Sequence, residues 1–539
     1  MGSYLNTGFE KFEESLNARL YVDKSELIDI LNSNIKTPQK YICISRPRRF
    51  GKSVTANMLC AYYSKDTDSS FLFDNLKISH DDSYITHLNQ YNTIFINVQQ
   101  FLSNADLNVE KMLSDIESEI KNELRHAFPH IEISDERKLN LVLSDIYNKE
   151  STENMKGFVF IIDEWDCIMR EKQRDADGIK MYLDYLRALL KDQSYVALAY
   201  MTGILPIKKY GSHSALNMFK EYSMTDAGKY APYIGFTENE VLNLCEKYKI
   251  DSNSMKKWYD GYSFENSPHL YNPNSVVCAI DENKFKSYWT QTETFESLRR
   301  YIDLNMARLR DEVVKLIAGN EIVVNTSRFH NDMTTFETKD DVLTLLIHLG
   351  YLAINPNSDI RLTSSKQVVA RIPNEEIKDE FRNITEENKN YPGIYALISQ
   401  SLDLLDKIYE MDNKAVAEAF DLAHQDHTSI LKYNDENSLS CVISLALNLA
   451  SVDIYNVHRE LPAGKGFADM VFLPKQGVDK PALLVELKYD KSAQTAIDQI
   501  KQKNYGRIFR DYKGDVLVVG INYDKDTKEH KCKIEKYHE

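Results

Sequence analysis

The chain has 539 residues and a mass of 62.4 kDa, room for about three to five domains at roughly 100–200 residues each. Hydrophobic residues make up 43% and charged residues 27%, while glycine (19) and proline (13) are scarce; this excludes a largely disordered, collagen-like or proline-rich chain. Acidic side chains number 81 against 66 basic ones, for a formal charge of −15, so any nucleic-acid contact needs a locally basic surface rather than the field of the whole molecule.

In chain order, residues 1–35 are polar, with helical character near Ser25–Ser33. An apolar run at 40–45 is followed by Arg46-Pro-Arg-Arg-Phe-Gly-Lys-Ser53 and a helical stretch over Val54–Tyr63. Three more apolar, β-branched runs follow: Tyr91–Val98, Gly157–Ile162 and Tyr195–Met201. Buried strands alternating with helical stretches predict a parallel α/β sheet, in a domain over 1–235. Residues 236–425 are richer in charged helical patterns, such as Glu238–Tyr248 and Ser297–Ala318. A helix at Asp341–Leu352, stopping near Gly350, precedes short β-like runs at Leu352–Ile354 and Gln367–Ile372, which predicts a winged-helix-like unit. Residues 426–539 read as a further α/β unit. It has an apolar helix at Leu439–Ala450, strands at Phe467–Leu473 and Ala482–Leu487, a helix at Ser492–Lys503 and a strand at Gly514–Ile521.

Gly51-Lys52-Ser53 stands where a strand meets a helix. A helix N-terminus offers unpaired N–H groups and a partial positive charge, which suit phosphate. Lys52 would reach the β- and γ-phosphates, and the Ser53 hydroxyl would ligate Mg²⁺. Arg46 occupies the place of the first glycine in the usual pattern, so by pattern alone a chance Gly-Lys-Ser at a helix start stays open. The strand Phe158–Ile162 ends in Asp163-Glu164. Asp163 would hold Mg²⁺ through water, and Glu164 would orient or deprotonate the attacking water; read alone, the pair is also compatible with an acidic turn. Thr202, at the end of the fourth strand, would sense the γ-phosphate or simply form a turn. No Asn-Lys-x-Asp motif reads guanine, so ATP is favoured over GTP.

Nine segments together resemble the AAA-ATPase-like family, in family order across residues 8–385. They are YVDKSEL (21–27), RPRRFGKS (46–53), IIDEWD (161–166), TGILPI (202–207), GFTENEV (235–241), WYDGYSF (258–264), YNPNSV (271–276), LLIHLGYL (345–352) and RIPNEE (371–376). In that family the Arg-Pro-Arg-Arg-Phe-Gly-Lys-Ser string is a hallmark, so the missing glycine does not argue against ATP. The resemblance implies a P-loop ATPase module followed by a helical lid and a winged-helix region. It carries nucleotide contacts onto Gly51, Lys52, Ser53, Val54, Asp163 and Thr202. Arg48 and Arg49 would contact phosphate or a neighbouring group, or form a solvated basic loop.

Near the C-terminal end, Asp469 lies in one β run and Glu486-Leu-Lys488 ends the next. Residues i and i+2 of a strand share a face, so Glu486 and Lys488 point the same way. Carboxylates on neighbouring strands hold a hard divalent cation, and a lysine beside them orients water or stabilises phosphate charge. The bare pattern also arises by chance on edge strands. With its flanking helices it resembles the PD-(D/E)xK nuclease superfamily over residues 430–520. Gly464-Lys-Gly-Phe-Ala-Asp469 is similar to that domain's Gly-x-Gly-Arg-x-Asp motif, with Phe467 in place of the arginine. The resemblance implies metal ligation by Asp469 and Glu486, a catalytic Lys488 and an accessory Gln499 on the helix that follows, with Tyr505 after it. Glu436 reads as an extra ligand or, more simply, as a solvated helix start. Residues 451–539 carry 16 Lys+Arg against 14 Asp+Glu, which permits nucleic acid there.

The expected protein is prokaryotic and cytoplasmic. It has no apolar stretch near the ~18 residues of a membrane span, no signal-peptide pattern, Asn6 where a myristoylation signal needs Ser or Thr, and seven dispersed cysteines without Cys-x-x-Cys. The expected activity is Mg²⁺-dependent cleavage of DNA or RNA controlled by ATP. The competing reading is a non-cleaving ATP-dependent binding or regulatory protein. Completion of P-loop sites by a neighbour's arginine adds an expected homo-oligomer.

Overall fold

The computed structural model describes residues 2–150, 156–289 (apart from 208, 211, 212 and 215), 309–329, 336–387, 401–425, 454–463, 466–475, 477–503, 512 and 514–537, with 298, 300–302, 304 and 447 between them. The chain forms two compact units. The first comprises Met1–Thr292 and Val323–Ile377, and the second Glu293–Ile322 and Lys378–Glu539.

The first unit is built on five parallel strands: β1 (Tyr41–Ser45), β2 (Asn92–Asn97), β3 (Phe158–Asp163), β4 (Val196–Gly203) and the short β5 (Lys220–Tyr222), in the order β2-β3-β4-β1-β5. Every residue of β1, β3 and β4 is buried. Such runs need cover on both faces, which crossover helices supply. One core formed on this sheet joins Ile94, Ile96, Phe158, Phe160 and Ile162 to Met112, Ile116 and Ile120 of helix Val109–Ala127 and to Leu183 and Leu186 of helix Ala176–Leu190. Parallel strands deliver all their carboxyl ends to one edge, where ligands of open α/β sheets bind. Here that edge carries the loop after β1, Asp163 at the end of β3 and Thr202 near the end of β4.

Two small sheets follow in this unit's part of the chain. Phe236–Thr237, Ser267–Tyr271 and Tyr262–Phe264 form one, in that order and antiparallel. Ile322–Asn325, Gln367–Arg371 and Ala353–Ile354 form the other. The helix expected near 341–352 runs Lys339–Leu349, opened by a Thr338–Asp341 capping box and closed by Gly350 at φ 87°. A left-handed residue at that position favours glycine.

The second unit holds a mixed sheet in sequence order: Tyr455–Ala463, Gly466–Pro474, Ala482–Tyr489, Val516–Asp524 and Glu529–Lys536. Only the pair Ala482–Tyr489 and Val516–Asp524 is parallel. Helix Ala493–Lys503 makes the crossover that a parallel pair requires. Ile497 and Ile500 on it pack with Val471, Ala482, Leu484 and Val518. The helix expected over 439–450 lies outside the described residues, apart from Leu447, as do Glu436, Gly464, Lys465 and Tyr505.

Candidate functional site

The loop from Arg46 to Gly51 ends β1 and opens helix Lys52–Tyr63. Gly51 stands at φ 89°, a left-handed turn at the start of the helix, and nothing lies within 4 Å of where its Cβ would be. A bulkier residue would therefore be refused by the backbone, not by crowding. Lys52 is buried, and its Nζ donates to the Pro47 carbonyl at 2.9 Å. Burial holds the Lys52 ammonium below the usual lysine range, against the pull of Glu164 and Asp163. Its hydrogen-bond acceptor is thus neutral, one that a phosphate oxygen can replace with gain. Val54, next but one in the helix, is 42% exposed.

Ser53 Oγ donates to Asp163 Oδ2 at 2.8 Å. This contact joins the start of the helix to the end of β3 and sets two hard oxygens side by side, the donor set that Mg²⁺ prefers. Burial and the neighbouring Glu164 push the Asp163 carboxyl above its ordinary range; the Ser53 hydrogen bond and Lys52 oppose them. Glu164 follows at φ 52°, a backbone conformation that L side chains seldom adopt. Its carboxylate is held by Arg170 Nη2. Thr202 is fully buried, and its hydroxyl donates to the Ile44 carbonyl at 2.9 Å.

Arg48 is partly buried. Arg49, at φ 67°, turns Nη1 to the Tyr288 carbonyl at 2.9 Å. Arg46 is fully buried. Its Nη1 donates to the Ser45 carbonyl at 2.8 Å and its guanidinium lies 5.2 Å from the centre of the Phe264 ring. Burial brings that guanidinium down to about 10. Phe50 meets Tyr262 edge-to-face at 5.2 Å, and Tyr262 donates its hydroxyl to the Gly350 carbonyl at 2.7 Å. The segments WYDGYSF and LLIHLGYL, far from the loop in sequence, therefore pack against its arginine-rich half.

Two residues that sequence reasoning passed over are central. Asp166 is fully buried. Its Oδ1 accepts Ile204 N–H (3.2 Å), and its Oδ2 accepts Leu205 N–H (2.9 Å) and Arg170 Nε (3.1 Å). The available signal was the spacing of Asp166 and Arg170, an i,i+4 ion pair directly after the two carboxylates.

In the second unit, Ala482, Leu484, Glu486 and Lys488 share the strand face turned to helix Ala493–Lys503. Glu486 and Lys488 are buried. Lys488 Nζ donates to Glu486 Oε1 (3.2 Å) and to the Leu487 carbonyl (2.7 Å), and Gln499 Nε2 donates to the same Glu486 oxygen. Asp469 Oδ2 accepts Leu487 N–H at 2.7 Å. The antiparallel register, with Met470 opposite Val485, sets Asp469 beside Glu486. Two carboxylates and one ammonium leave an excess negative charge, and this donor set fits a divalent cation. Among the described residues, one group of three acidic side chains has oxygens within 4.8 Å of one another: Asp490, Asp524 and Asp526. Lys525 neutralises Asp490 at 2.6 Å, and turn N–H groups of Asp526 and Thr527 occupy Asp524.

Residues 6–212 match the family model described as a predicted AAA-ATPase, of the AAA-ATPase-like type. Residues 434–533 match that of the PD-(D/E)XK nuclease superfamily. The chain joins an AAA-ATPase-like domain to a PD-(D/E)XK superfamily domain. Solved structures similar to it include the Walker-type ATPase PABY2304 of Pyrococcus abyssi, at 13% identity over 67% of this chain and 94% of that one, with a TM-score of 0.34. The Aeropyrum pernix ORC2 protein, in ADPNP–ADP complexes, is similar at 11% identity over 70% and 97%, with a TM-score of 0.29. No curated protein matches. The AAA-ATPase-like domain contains the Lys52–Ser53–Asp163 arrangement, and the PD-(D/E)XK domain contains Asp469, Glu486, Lys488 and Gln499. Among the described residues no helix is long and apolar enough to cross a membrane.

Proposed function

We propose that the protein binds and hydrolyses ATP in its AAA-ATPase-like domain and cleaves nucleic acid in its PD-(D/E)XK domain, with cleavage governed by the nucleotide. The observation that carries the first half is the 2.8 Å contact of Ser53 with Asp163 beside the buried Lys52. Lys52 exchanges the Pro47 carbonyl for phosphate oxygens, and the N–H groups that follow Gly51 add to it. Arg48 and Arg49 supply further positive charge at the loop. Ser53 and Asp163 would hold Mg²⁺, which supplies charge neutralisation on the phosphates. Glu164 orients the attacking water and accepts its proton.

In the PD-(D/E)XK domain, Asp469 and Glu486 would hold a divalent metal. Lys488 orients water or meets the charge that develops on the scissile phosphate, and Gln499 fixes the Glu486 carboxylate. The substrate is DNA or RNA. The buried thiols of Cys43, Cys60, Cys167 and Cys245 fit a reducing, cytoplasmic setting. Nucleotide-dependent self-association would bring a neighbour's arginine to the ATP.

The test is cleavage of labelled DNA and RNA with Mg²⁺ or Mn²⁺, with and without ATP, by wild type, Asp469→Ala, Glu486→Ala and Lys488→Ala. The expected result is cleavage by wild type, with a fall of about 100-fold or more in each variant. No cleavage by wild type under any of these conditions would favour the non-cleaving regulatory reading.

A further inference from the structure

Behind the proposed ATP site lies a second layer of charge. Arg170 is the hub of this layer, with a side chain only 10% exposed. Its Nη2 holds Glu164, and its Nε holds Asp166 at 3.1 Å, where Asp166 is wholly enclosed. A guanidinium is a flat fork whose N–H groups can serve two carboxylates at fixed angles, which an ammonium cannot do as well.

The far side of this pair is tied to the strand next to the phosphate-binding loop. Asp166 accepts the N–H groups of Ile204 and Leu205, the two residues after β4. Gly203, between them and Thr202, has no room for a side chain: a Cβ there would stand 2.3 Å from Asp166 Oδ1 and 2.7 Å from the Trp165 ring. The Gly203 carbonyl in turn accepts Arg46 N–H at 3.0 Å, at the start of the loop that ends in Gly51-Lys52-Ser53. An unbroken path of polar contacts thus runs from Glu164 through Arg170 and Asp166 to the backbone beside that loop. Glu164 itself sits in a left-handed conformation, which a glutamate keeps only when its surroundings impose it.

We propose that Arg170 is a positioning residue for ATP hydrolysis. It fixes the direction of the Glu164 carboxylate and, through Asp166, ties that direction to the loop after β4. The proposal rests on the reading of Glu164 as the residue that orients water. A purely structural arginine would need only Asp166, its fully buried partner; the second contact goes to the one carboxylate expected to meet the water. Loss of Arg170 frees Glu164 to turn, so the chemical step should slow while phosphate binding by Lys52 and Ser53 persists.

The experiment uses the full chain as wild type, Arg170→Lys and Arg170→Ala. Steady-state ATP hydrolysis gives kcat and KM, and calorimetry with a non-hydrolysable ATP analogue gives Kd. For Arg170→Ala, kcat should fall by about 10- to 100-fold while Kd stays within about threefold, with Arg170→Lys recovering part of the loss. Unchanged or raised kcat in Arg170→Ala overturns the proposal, as does a loss that appears equally in Kd. If the alanine chain does not fold, as judged by circular dichroism, the lysine variant decides: wild-type kcat there overturns the proposal, and reduced kcat with retained Kd supports it. A wild type that binds no ATP analogue overturns the underlying ATP reading and this proposal with it. A wild type that hydrolyses ATP, paired with an equally fast Arg170→Ala, overturns this proposal alone.

Discussion

In the proposed ATP site Lys52 would serve two opposed demands. Its ammonium is buried, which disfavours the charge, yet the charge is what a phosphate needs. The Pro47 carbonyl holds the ammonium in place without neutralising it. Charge-assisted hydrogen bonds are worth about 1.5–3 kcal/mol, so Lys52→Ala should weaken ATP affinity by roughly 10- to 100-fold, as read by calorimetry. Equal affinity for wild type and variant would remove Lys52 from the site. Gly203 poses the converse case, where space rather than charge is decisive. A methyl group added there meets the Asp166 carboxylate and Trp165, so Gly203→Ala should cost about 1–3 kcal/mol in urea unfolding; an unchanged midpoint would show that the loop after β4 yields freely. Gly51, Lys52 and Ser53 at a helix start, and Asp163 and Glu164 at the end of β3, were legible in the sequence by their place after strand-like apolar runs. Asp166 and Arg170 were not, because an acidic and a basic residue four apart look like any surface helix pair until burial is known.

At the scale of elements, β1 to β4 were legible because parallel strands covered on both faces read as unbroken apolar runs. The short β5, Lys-Glu-Tyr, has no such run and is recognisable only by its pairing with Ile42–Ile44 of β1. The outer strands of the second sheet, Tyr455–Ala463 and Glu529–Lys536, escaped for a related reason. The last of them reads Glu-His-Lys-Cys-Lys-Ile-Glu-Lys, and charged side chains suit an edge that must not pair further. Helix Lys339–Leu349 was placed by its apolar pattern and by Gly350, but its histidine was passed over. His348 is 3% exposed, stacks on Phe329, and is pushed down to about 3 by burial. The sign follows from which state takes the proton. Between an ordinary value near 6.5 and about 3, the unfolded chain binds a proton at His348 and the folded chain does not. The associated stability is therefore complete above about pH 6.5 and is lost as the pH falls toward 3, at up to about 1.4 kcal/mol per unit. His348→Leu should flatten that part of the urea-measured stability profile; the same slope in both proteins would place the acid sensitivity elsewhere.

At the scale of the whole molecule, the two proposed chemistries lie in different units of one chain: Lys52 and Asp163 in the first, Asp469 and Glu486 in the second. A metal at the proposed Asp469–Glu486 site would be bound by their own oxygens, so Lys52→Ala should leave metal affinity there unchanged. Any effect of that variant on cleavage would then have to travel through the nucleotide. Coupling of this kind is reciprocal: if ATP changes the affinity for nucleic acid by some factor, nucleic acid must change the affinity for ATP by the same factor. We expect a factor of roughly 5–150, the usual range for coupled sites. The measurement is ATP-analogue affinity by calorimetry with and without a short DNA or RNA duplex, alongside duplex affinity with and without the analogue. Asp469→Ala, expected to keep the protein from consuming the duplex, would allow both to be read at equilibrium. The salt concentration must be held constant, because a chain of formal charge −15 meets a polyanion only through local basic surface, and such binding weakens steeply with salt. Matching factors in the two directions, lost together in Lys52→Ala, would establish control of the second unit by the first. Independent binding, with cleavage unaffected by ATP, would mean that the two domains share a chain without sharing a switch.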